Sequence, residues 1–346
     1  MIKAGLFVGT HQNFIAEGGI GRYMRSLDKY LAAGKHKGFS INRIESPIGS
    51  ESVPKTLLWS MLSRISSYDL IHVLGPLPLF QLLSKRHKNT IITTAHDFMP
   101  TSLIAANIKS AHQRILQKAL ADFRISLNSD YLISISTQTR DEAVELGFER
   151  SRIKVINYGL DSRFFTTIKK RDPQKTFKVG YIGSFPVRKN VRFAIGAFRK
   201  IEDTNISFDL YARKDMEYSN LAEQSGNDRR IRFMGSLEED KVPSTYDKFD
   251  LSVFPSIHEG FGLPIIEAQS RGLPVVICRD SHIPKEVRKM CFEAKDEDHM
   301  AQIIMQIKEN GFEVKRKKAT IEYARSFTWK KNIESTISFY KQALQK

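Results

Sequence analysis

Two glutamates separated by seven residues, Glu259 and Glu267, bracket a glycine-rich segment that could bind a polar ligand. The segment follows an apolar run, residues 251–254, that is typical of a buried strand, and it leads into a predicted helix near Pro264. Glycines let backbone N–H groups approach a ligand closely, and the start of a helix favours anionic or hydroxyl-rich groups. The pattern therefore predicts that the two carboxylates hold different parts of one polar ligand.

This run resembles the donor-site signature of glycosyltransferase family 4, a family of retaining enzymes with the GT-B fold. The family signature is a glutamate, seven residues and a second glutamate, and Glu259 and Glu267 match it without departure. The resemblance implies that Glu259 and the following amides hold hydroxyls of the donor sugar, while Glu267 accepts hydrogen bonds from the ribose. The donor-binding residues implied in this segment are Gly260, Phe261, Gly262, Leu263 and Glu267.

Two adjacent cations, Arg188 and Lys189, follow the first predicted strand of the second half of the chain. Arginine can bind phosphate oxygens through paired hydrogen bonds, and lysine adds a compact charge. The resemblance implies that the two cations stabilise the charge that develops on the departing nucleoside diphosphate. It also assigns donor binding to two loops, which contain Gly183 with Ser184 and Met234 with Gly235; the second of these loops lies beside the nucleobase in the family.

The chain departs from the family pattern at two places. The segment Tyr211-Ala212-Arg213-Lys214 lies where a glycine commonly follows the strand, so the mode of base recognition is open. At the predicted hinge the family often has Pro-Asn-Gly, whereas this chain has Asn157-Tyr158-Gly159.

The first half of the chain contributes a glycine-rich turn and a histidine. Gly18 and Gly19 precede a predicted helix, where backbone amides and the helix start favour a phosphate, and the family has a similar loop facing the donor diphosphate. His96 ends a predicted strand and matches a family histidine that contacts the donor sugar, while Asp97 orients His96 or meets the acceptor. The catalytic residues that the resemblance implies are Glu259, His96, Arg188 and Lys189.

An Asp-x-Asp pattern, the kind that binds a divalent metal in another glycosyltransferase fold, occurs at residues 296–298. Acidic residues are favoured at the start of a helix, and we interpret the pattern as a helix start. No metal and no cofactor are expected. The substrate implied by the family is a nucleoside-diphosphate sugar, either UDP- or GDP-linked.

Composition restricts the class of protein. The chain has 346 residues and a formal net charge of +16, which favours polyanions such as nucleic acid, anionic lipid or phosphorylated substrates. The basic residues are spread over both halves, which argues against a nucleic-acid-binding arm. No apolar run approaches the roughly 20 residues that span a bilayer, and the first residues are typical of a buried strand, so a cytoplasmic protein is expected. A basic segment at residues 101–118 is either a surface for anionic membrane or an ordinary packed helix.

The apolar runs alternate with helical patterns, which predicts an α/β protein with parallel sheets. We predict a first, acceptor-side domain at residues 1–165 and a nucleotide-sugar-binding domain at residues 166–328. The resemblance implies two doubly wound, Rossmann-like domains facing across a cleft, and a final helix at about 329–346 that packs back on the first domain. Predicted strands lie at residues 4–8, 70–74, 90–95, 131–134, 154–161, 177–183, 206–211, 231–233, 251–254 and 274–277, and predicted helices at 20–33, 77–85, 103–125, 138–146, 190–200, 216–225, 243–247, 264–271, 297–310 and 329–345.

The expected activity is retaining transfer of a hexose, of mannose or glucose type, from a nucleoside-diphosphate sugar to a hydroxyl acceptor such as a glycan or lipid-linked glycan. Two alternatives remain open. One is an enzyme of the same fold that modifies the nucleotide sugar itself, such as an epimerase. The other is a basic nucleic-acid-binding protein, whose binding would weaken steeply with salt.

Overall fold

The computed structural model describes residues 1–10, 19–34, 36–46, 67–74, 89–98, 129–167, 176–213, 216–226 and 228–345. The strands in these residues are β1 (Ile2–Thr10), β2 (Phe39–Ser46), β3 (Leu70–Val73), β4 (Thr90–Ala95), β5 (Tyr131–Ser134), β6 (Ile153–Val155), β7 (Phe177–Ile182), β8 (Ile206–Tyr211), β9 (Ile231–Gly235), β10 (Leu251–Phe254), β11 (Val275–Cys278) and β12 (Phe292–Ala294). The α-helices are α1 (Gly19–Ala33), α2 (Thr137–Glu145), α3 (Val191–Arg199), α4 (Met216–Gln224), α5 (Val242–Tyr246), α6 (Leu263–Ser270), α7 (Lys285–Arg288), α8 (Glu297–Asn310), α9 (Val314–Arg325) and α10 (Trp329–Leu344). Short 3₁₀ helices lie at Arg150–Arg152, Ser162–Phe165, Val187–Lys189 and Glu239–Lys241.

These elements form two compact units, one of Met1–Gly159 with Thr328–Lys346 and one of Leu160–Phe327. The sequence-based boundary lay a few residues later, at 165. Residues 160–165 group with the second unit because Phe164 is buried there beside Tyr246, and because Arg271 donates to the Phe164 carbonyl. The functional labels of the two domains, acceptor-side and donor-binding, stay predictions.

The first unit contains a parallel sheet of six strands in the order β2-β1-β3-β4-β5-β6. All four residues of β3 are buried, as expected of a parallel strand covered on both faces. Among residues 39–44 of edge strand β2, whose burial is described, only Phe39 is buried, while Asn42 and Arg43 are exposed. Because much of β2 is polar and at least partly exposed, the search for apolar runs in the sequence did not predict it.

Helix α10 returns to the first unit and closes its core. Phe339, Tyr340 and Ala343 pack with buried strand residues that include Ala4 and Leu70. A hydrogen bond of 2.6 Å joins the Tyr340 hydroxyl to Nδ1 of His72 in the centre of β3. The C-terminal helix is therefore part of the first unit through both apolar and polar contacts.

The second unit contains a second parallel sheet of six strands, in the order β12-β11-β10-β7-β8-β9. Helices α3 and α8 pack against each other and contribute residues such as Phe198 and Met300 to its core. Gly180 in β7 lets the Phe249 ring lie against this strand, because a Cβ at residue 180 would lie 2.1 Å from that ring. Two parallel six-stranded sheets confirm the predicted α/β class.

Most of the predicted elements within the described residues are confirmed, with shifts of one or two residues at their ends. The exceptions are the predicted strand at 154–161, which ends at Val155, and four elements that were not predicted, β2, β12, α7 and α9. The beginning of α9 contains four consecutive cations, residues 315–318, which interrupt the apolar pattern typical of a helix. The predicted helices at 77–85 and 103–125, and the basic segment at 101–118, lie outside the described residues. No described helix is long and apolar enough to cross a membrane.

Candidate active site

The second sheet reverses its strand order between β7 and β10. From β7 the chain adds β8 and β9 on one side, and it then returns to add β10, β11 and β12 on the other side. In doubly wound sheets, ligands bind outside the carboxyl ends of the strands at such a switch point. The two loops that leave β7 and β10 at this point carry Arg188, Lys189 and Glu259.

The loop after β7 is held close to the sheet. Tyr181 donates through its hydroxyl to the carbonyl of Ser184 at 2.6 Å, and a Cβ on Gly183 would lie 2.6 Å from that hydroxyl oxygen. The chain then forms the 3₁₀ turn Val187–Lys189 and passes through Asn190, whose φ of 50° is one that asparagine tolerates better than most residues. This turn places the two cations side by side immediately before α3.

The loop after β10 is fixed by three backbone hydrogen bonds. The amide of Ile257 donates to the Arg188 carbonyl at 2.8 Å, which ties the two loops together. His282, in the loop after β11, donates its amide to the Ile257 carbonyl at 2.7 Å and accepts from the Glu259 amide at 2.9 Å. Gly262 then adopts a φ of 102°, and α6 begins at the next residue. The positive φ explains the need for glycine at this position.

Glu259 forms ion pairs with both cations of the neighbouring loop. Its Oε1 accepts from Nζ of Lys189 at 2.6 Å and from Nη1 of Arg188 at 3.1 Å. The side chains of Glu259 and Lys189 are 10% and 9% exposed, whereas Arg188 is 23% exposed. The Lys189 ammonium also lies 4.8 Å from the centre of the Phe254 ring. The sequence-based prediction assigned Glu259 to the sugar and the two cations to the diphosphate. In the structure the three side chains form one cluster of ion pairs.

The electrostatics of this cluster favour an ionised glutamate. Burial by itself would raise the pKa of Glu259, but the charges of Lys189 and Arg188 and the hydrogen bond from Lys189 hold that pKa below its ordinary value. Glu259 is therefore a carboxylate at neutral pH. Such a cluster presents a fixed positive surface to a phosphate and a fixed negative charge beside it, which suits a reaction in which charge separates.

Glu267 lies on α6, about two turns after Glu259, and it is 3% exposed. The Tyr246 hydroxyl of α5 donates to Oε2 of Glu267 at 3.4 Å and lies 3.3 Å from the Pro264 carbonyl. Tyr246 was not predicted as a site residue, and its place beside Glu267 had no signal in the sequence. The contact joins the carboxylate predicted for the ribose to the chain segment that follows β9.

The remaining predicted donor loops of the second unit lie at the ends of β7 and β9, the two strands that flank β8. Met234 is 46% exposed, and Gly235 adopts a φ of 80° at the end of β9. Ala212 donates its amide to the Gly235 carbonyl at 3.0 Å, and Gly183 donates to the Tyr211 carbonyl at 3.0 Å. The predicted loops at 183–184 and 234–235 are therefore both anchored to the end of β8.

Two of the residues predicted in the first unit lie at the start of α1 and just after β4. Gly19 is the exposed first residue of α1, and among the described residues a Cβ there would meet no atom within 4 Å. Gly18 lies outside the described residues. Asp97 is partly exposed at the end of β4.

Both ring nitrogens of His96 bond to the protein itself. Nε2 donates to the Leu74 carbonyl at 2.6 Å, and Nδ1 lies 2.5 Å from the Tyr158 hydroxyl, from which the neutral ring accepts. Burial lowers the pKa of His96, although the Leu74 carbonyl and the charge of Asp97 act in the opposite direction. Contact with a sugar would require the imidazole to exchange one of these partners, so the sugar-orienting role stays a prediction. Tyr158 was missed as a partner, although it lies in the hinge segment where the sequence departs from the family.

The Asp-x-Asp pattern begins a helix, as interpreted from the sequence. Asp296 caps α8 by accepting from the His299 amide at 2.8 Å. Glu297 and Asp298 both pair with Lys200, at 3.6 and 2.9 Å. Across the described residues, His, Cys, Asp and Glu side chains form no group of three or more that could hold a metal ion. Metal independence itself stays a prediction.

Two family models match the chain. The model described as Glycosyl transferases group 1 matches residues 176–310, and the model described as Glycosyltransferase Family 4 matches residues 43–164. The first match contains Arg188, Lys189, Glu259 and Glu267, and the second contains His96.

Characterised relatives match over most of their length. The chain is 26% identical to the O-antigen chain mannosyltransferase B of Escherichia coli, over 93% of this chain and 96% of that protein. It is 24% identical to the D-inositol 3-phosphate glycosyltransferase of Corynebacterium glutamicum, over 91% of this chain and 81% of the relative.

Solved structures share the architecture. A sucrose-phosphate synthase of Thermosynechococcus elongatus superimposes with a TM-score of 0.77 at 17% identity, with 99% of both chains covered. The HepE protein of Anabaena, solved with UDP and glucose, has a TM-score of 0.72 at 15% identity, over 99% of this chain and 100% of that chain. The two family matches show that the chain belongs to the group 1 glycosyltransferases of family 4, and the likeness to the solved structures shows that it has the GT-B fold.

Proposed function

We propose that the chain is a retaining hexosyltransferase that moves a mannose or glucose residue from a nucleoside-diphosphate sugar to a hydroxyl of a glycan or lipid-linked glycan. The observation that carries this proposal is the cluster of Glu259, Lys189 and Arg188 at the switch point of the second sheet. The name of the Escherichia coli relative supports a mannose donor, and the UDP and glucose in the Anabaena protein support a glucose donor.

The reaction breaks the bond between the anomeric carbon and the β-phosphate oxygen and forms a new bond from that carbon to the acceptor oxygen. Negative charge develops on the leaving diphosphate, where Lys189 and Arg188 stabilise it without rearrangement, because Glu259 already orients both cations. Positive charge develops on the sugar, and the ionised Glu259 stabilises it while accepting from sugar hydroxyls. A phosphate oxygen of the leaving group takes the proton of the acceptor hydroxyl.

Glu267 accepts hydrogen bonds from the ribose hydroxyls, and its burial beside Tyr246 makes these bonds strong. The amides of residues 260–263, in the turn where α6 begins, hold the sugar. No step uses a metal, and the reaction is expected to continue in the presence of a chelator.

The test is turnover of GDP-mannose and UDP-glucose with EDTA present, with nucleoside diphosphate release and the anomeric configuration of the product measured by NMR. Wild type is expected to release diphosphate and to give the α product from an α-linked donor. Glu259→Gln and Lys189→Ala are expected to lose at least about a hundredfold in turnover, of the size seen when one preorganised charge is removed. Arg229→Ala, an exposed arginine in the turn before β9, is the matched control and should keep full activity.

Inversion of the product, or unchanged turnover in Glu259→Gln, would contradict the proposal. Conversion of the donor sugar into its epimer without an acceptor would instead favour the enzyme that modifies the nucleotide sugar. Binding of duplex DNA or RNA in place of any nucleotide sugar would favour the nucleic-acid-binding alternative.

A further inference from the structure

Arg213 leaves the second sheet between two loops that the proposed function assigns to the donor. The residue before it, Ala212, donates its amide to the Gly235 carbonyl, and Tyr211 accepts from the Gly183 amide. The side chain of Arg213 is exposed, whereas Ala212 is 3% exposed. A cation therefore stands at the carboxyl edge of β8, with the loop of Gly183 on one side and the loop of Gly235 on the other.

The order of the groups along the donor places the nucleobase at this end of the site. The cations for the diphosphate lie at the switch between β7 and β10, and Glu267, for the ribose, follows β10 on α6. Tyr246, which contacts Glu267, ends the segment that runs back to β9. A base attached to a ribose at Glu267 is therefore directed along this segment, toward the ends of β8 and β9 where Arg213 emerges.

The chemistry of arginine distinguishes among the bases. The guanidinium presents two parallel N–H donors, and guanine offers two adjacent acceptors, O6 and N7, in matching positions. Adenine places an amino donor beside N7, so one of the two contacts becomes repulsive. Uracil offers a single carbonyl at the corresponding edge.

We infer that Arg213 is a specificity-determining residue that donates to O6 and N7 of guanine, so that the donor is a GDP-linked sugar. The assignment rests on the proposed function and adds the identity of the base to it. It also gives a role to the segment at which the sequence departs from its family, where Ala212 follows β8 in place of the common glycine and Arg213 comes next.

The experiment is calorimetric titration of the full chain, with EDTA, using GDP, inosine diphosphate, 7-deaza-GDP, ADP and UDP. Wild type is expected to bind GDP at least about tenfold more tightly than ADP or UDP, the size of discrimination that one bidentate contact to a base provides. Inosine diphosphate keeps O6 and N7 and should bind nearly as tightly as GDP. The 7-deaza analogue lacks N7 and should bind several-fold more weakly.

Arg213→Ala is expected to reduce the preference for GDP to within about threefold, to remove the difference between GDP and 7-deaza-GDP, and to leave the affinity for UDP unchanged. Arg213→Lys keeps the charge without the paired donors and should also lose the preference. Arg229→Ala, an exposed arginine in the turn before β9, is the matched control and should keep the preference for GDP.

Three outcomes would overturn the inference. The first is a wild-type preference for UDP or ADP. The second is an equal loss of affinity for all five nucleotides in Arg213→Ala, which would make the residue a general phosphate contact. The third is a preference for GDP that survives in Arg213→Ala. If wild type binds none of the nucleotides, with or without magnesium, the proposed function itself fails and the inference fails with it.

Discussion

The ammonium nitrogen of Lys189 lies 2.6 Å from Oε1 of Glu259, although the two residues are 70 positions apart in the sequence. Both side chains are about nine-tenths buried, and Arg188 adds a second cation to the same oxygen. Breaking a buried pair leaves a charge without compensation, which is far more costly than exchanging both partners for apolar groups. The pair therefore contributes to the stability of the second unit as well as to the proposed chemistry.

A double-mutant cycle will measure this coupling. Glu259→Gln and Lys189→Met are each expected to destabilise the second unit by about 3 kcal/mol, because each leaves one buried partner uncompensated. The double variant is expected to lose less than the sum of the two single variants, by at least about 1 kcal/mol. Native-state hydrogen exchange of amides in β7 and β10 reports the unit directly, since both tryptophans of the chain lie outside residues 160–327. Additive single effects would contradict the coupling.

The stability of the first unit is expected to fall on mild acidification. Burial, with a smaller contribution from the charge of His96, lowers the pKa of His72 to about 3, and its ring bonds to Tyr340 and Thr94. An unfolded histidine takes up a proton near pH 6.5, so between about 6.5 and 3 the unfolded state binds more protons than the folded state. The His72 contribution is therefore intact above pH 6.5 and declines as the pH falls, by about 2 kcal/mol at pH 5.

Urea unfolding followed by Trp329 fluorescence, at intervals from pH 7 to pH 4.5, will measure this dependence. His72→Gln cannot be protonated and should show a flatter decline than wild type, even though its stability at pH 7 is lower. His282→Gln, an exposed histidine of the second unit, is the control and should follow wild type. Parallel curves for wild type and His72→Gln would show that His72 does not titrate as expected.

Arg271 is expected to be among the most sensitive positions of the second unit. It is 3% exposed, donates to both carboxylate oxygens of Asp247 at 2.8 and 2.7 Å, and also donates to the carbonyls of Phe164, Thr166 and Thr167. Arg271→Leu should cost about 3 to 5 kcal/mol, because it leaves Asp247 buried and uncompensated and removes the Arg271 hydrogen bonds to three carbonyls.

Hydrogen exchange will separate the two parts of this effect. In Arg271→Leu, amides of residues 162–167 should exchange faster, and the double variant with Asp247→Leu should recover part of the lost stability but not the slow exchange of this segment. Arg288→Leu removes a more exposed pair with Glu293 and bonds to the carbonyls of Arg279 and Ser281, and it should cost no more than about 2 kcal/mol. Equal losses in Arg288→Leu and Arg271→Leu would mean that burial does not govern these pairs.

The role of Glu267 can be tested with the ligand as well as with the protein. Hydrogen bonds to a charged group contribute about 1.5 to 3 kcal/mol, so wild type should bind GDP at least about tenfold more tightly than 2′,3′-dideoxy-GDP. Glu267→Gln should weaken the binding of GDP and leave the dideoxy analogue nearly unchanged, as measured by calorimetry. The exposed Glu322→Gln serves as the control. A loss of affinity that is equal for both nucleotides would rule out a ribose contact.

The features that depend on neighbours in the chain could be predicted from the sequence. Largely apolar runs predicted the bounds of β4, β5, β8 and β10 to the residue, because strands that are buried on both faces carry few polar side chains. The glycine-rich turn and Pro264 located the start of α6 to within one residue, since glycine at φ 102° and proline in the first turn are local requirements. The motif from Glu259 to Glu267 was sufficient to identify the family.

The contacts that join distant residues were decided only by the tertiary structure. Glu259 was expected to face the sugar and Lys189 the phosphate, yet parallel strand order brings the two side chains to one switch point, where opposite charges pair. His96 was expected to contact the donor sugar. In the structure its two ring nitrogens bond to the Leu74 carbonyl and the Tyr158 hydroxyl. Residue types and local spacing specify which groups are present, whereas burial and the partner across the sheet decide their charge and their availability.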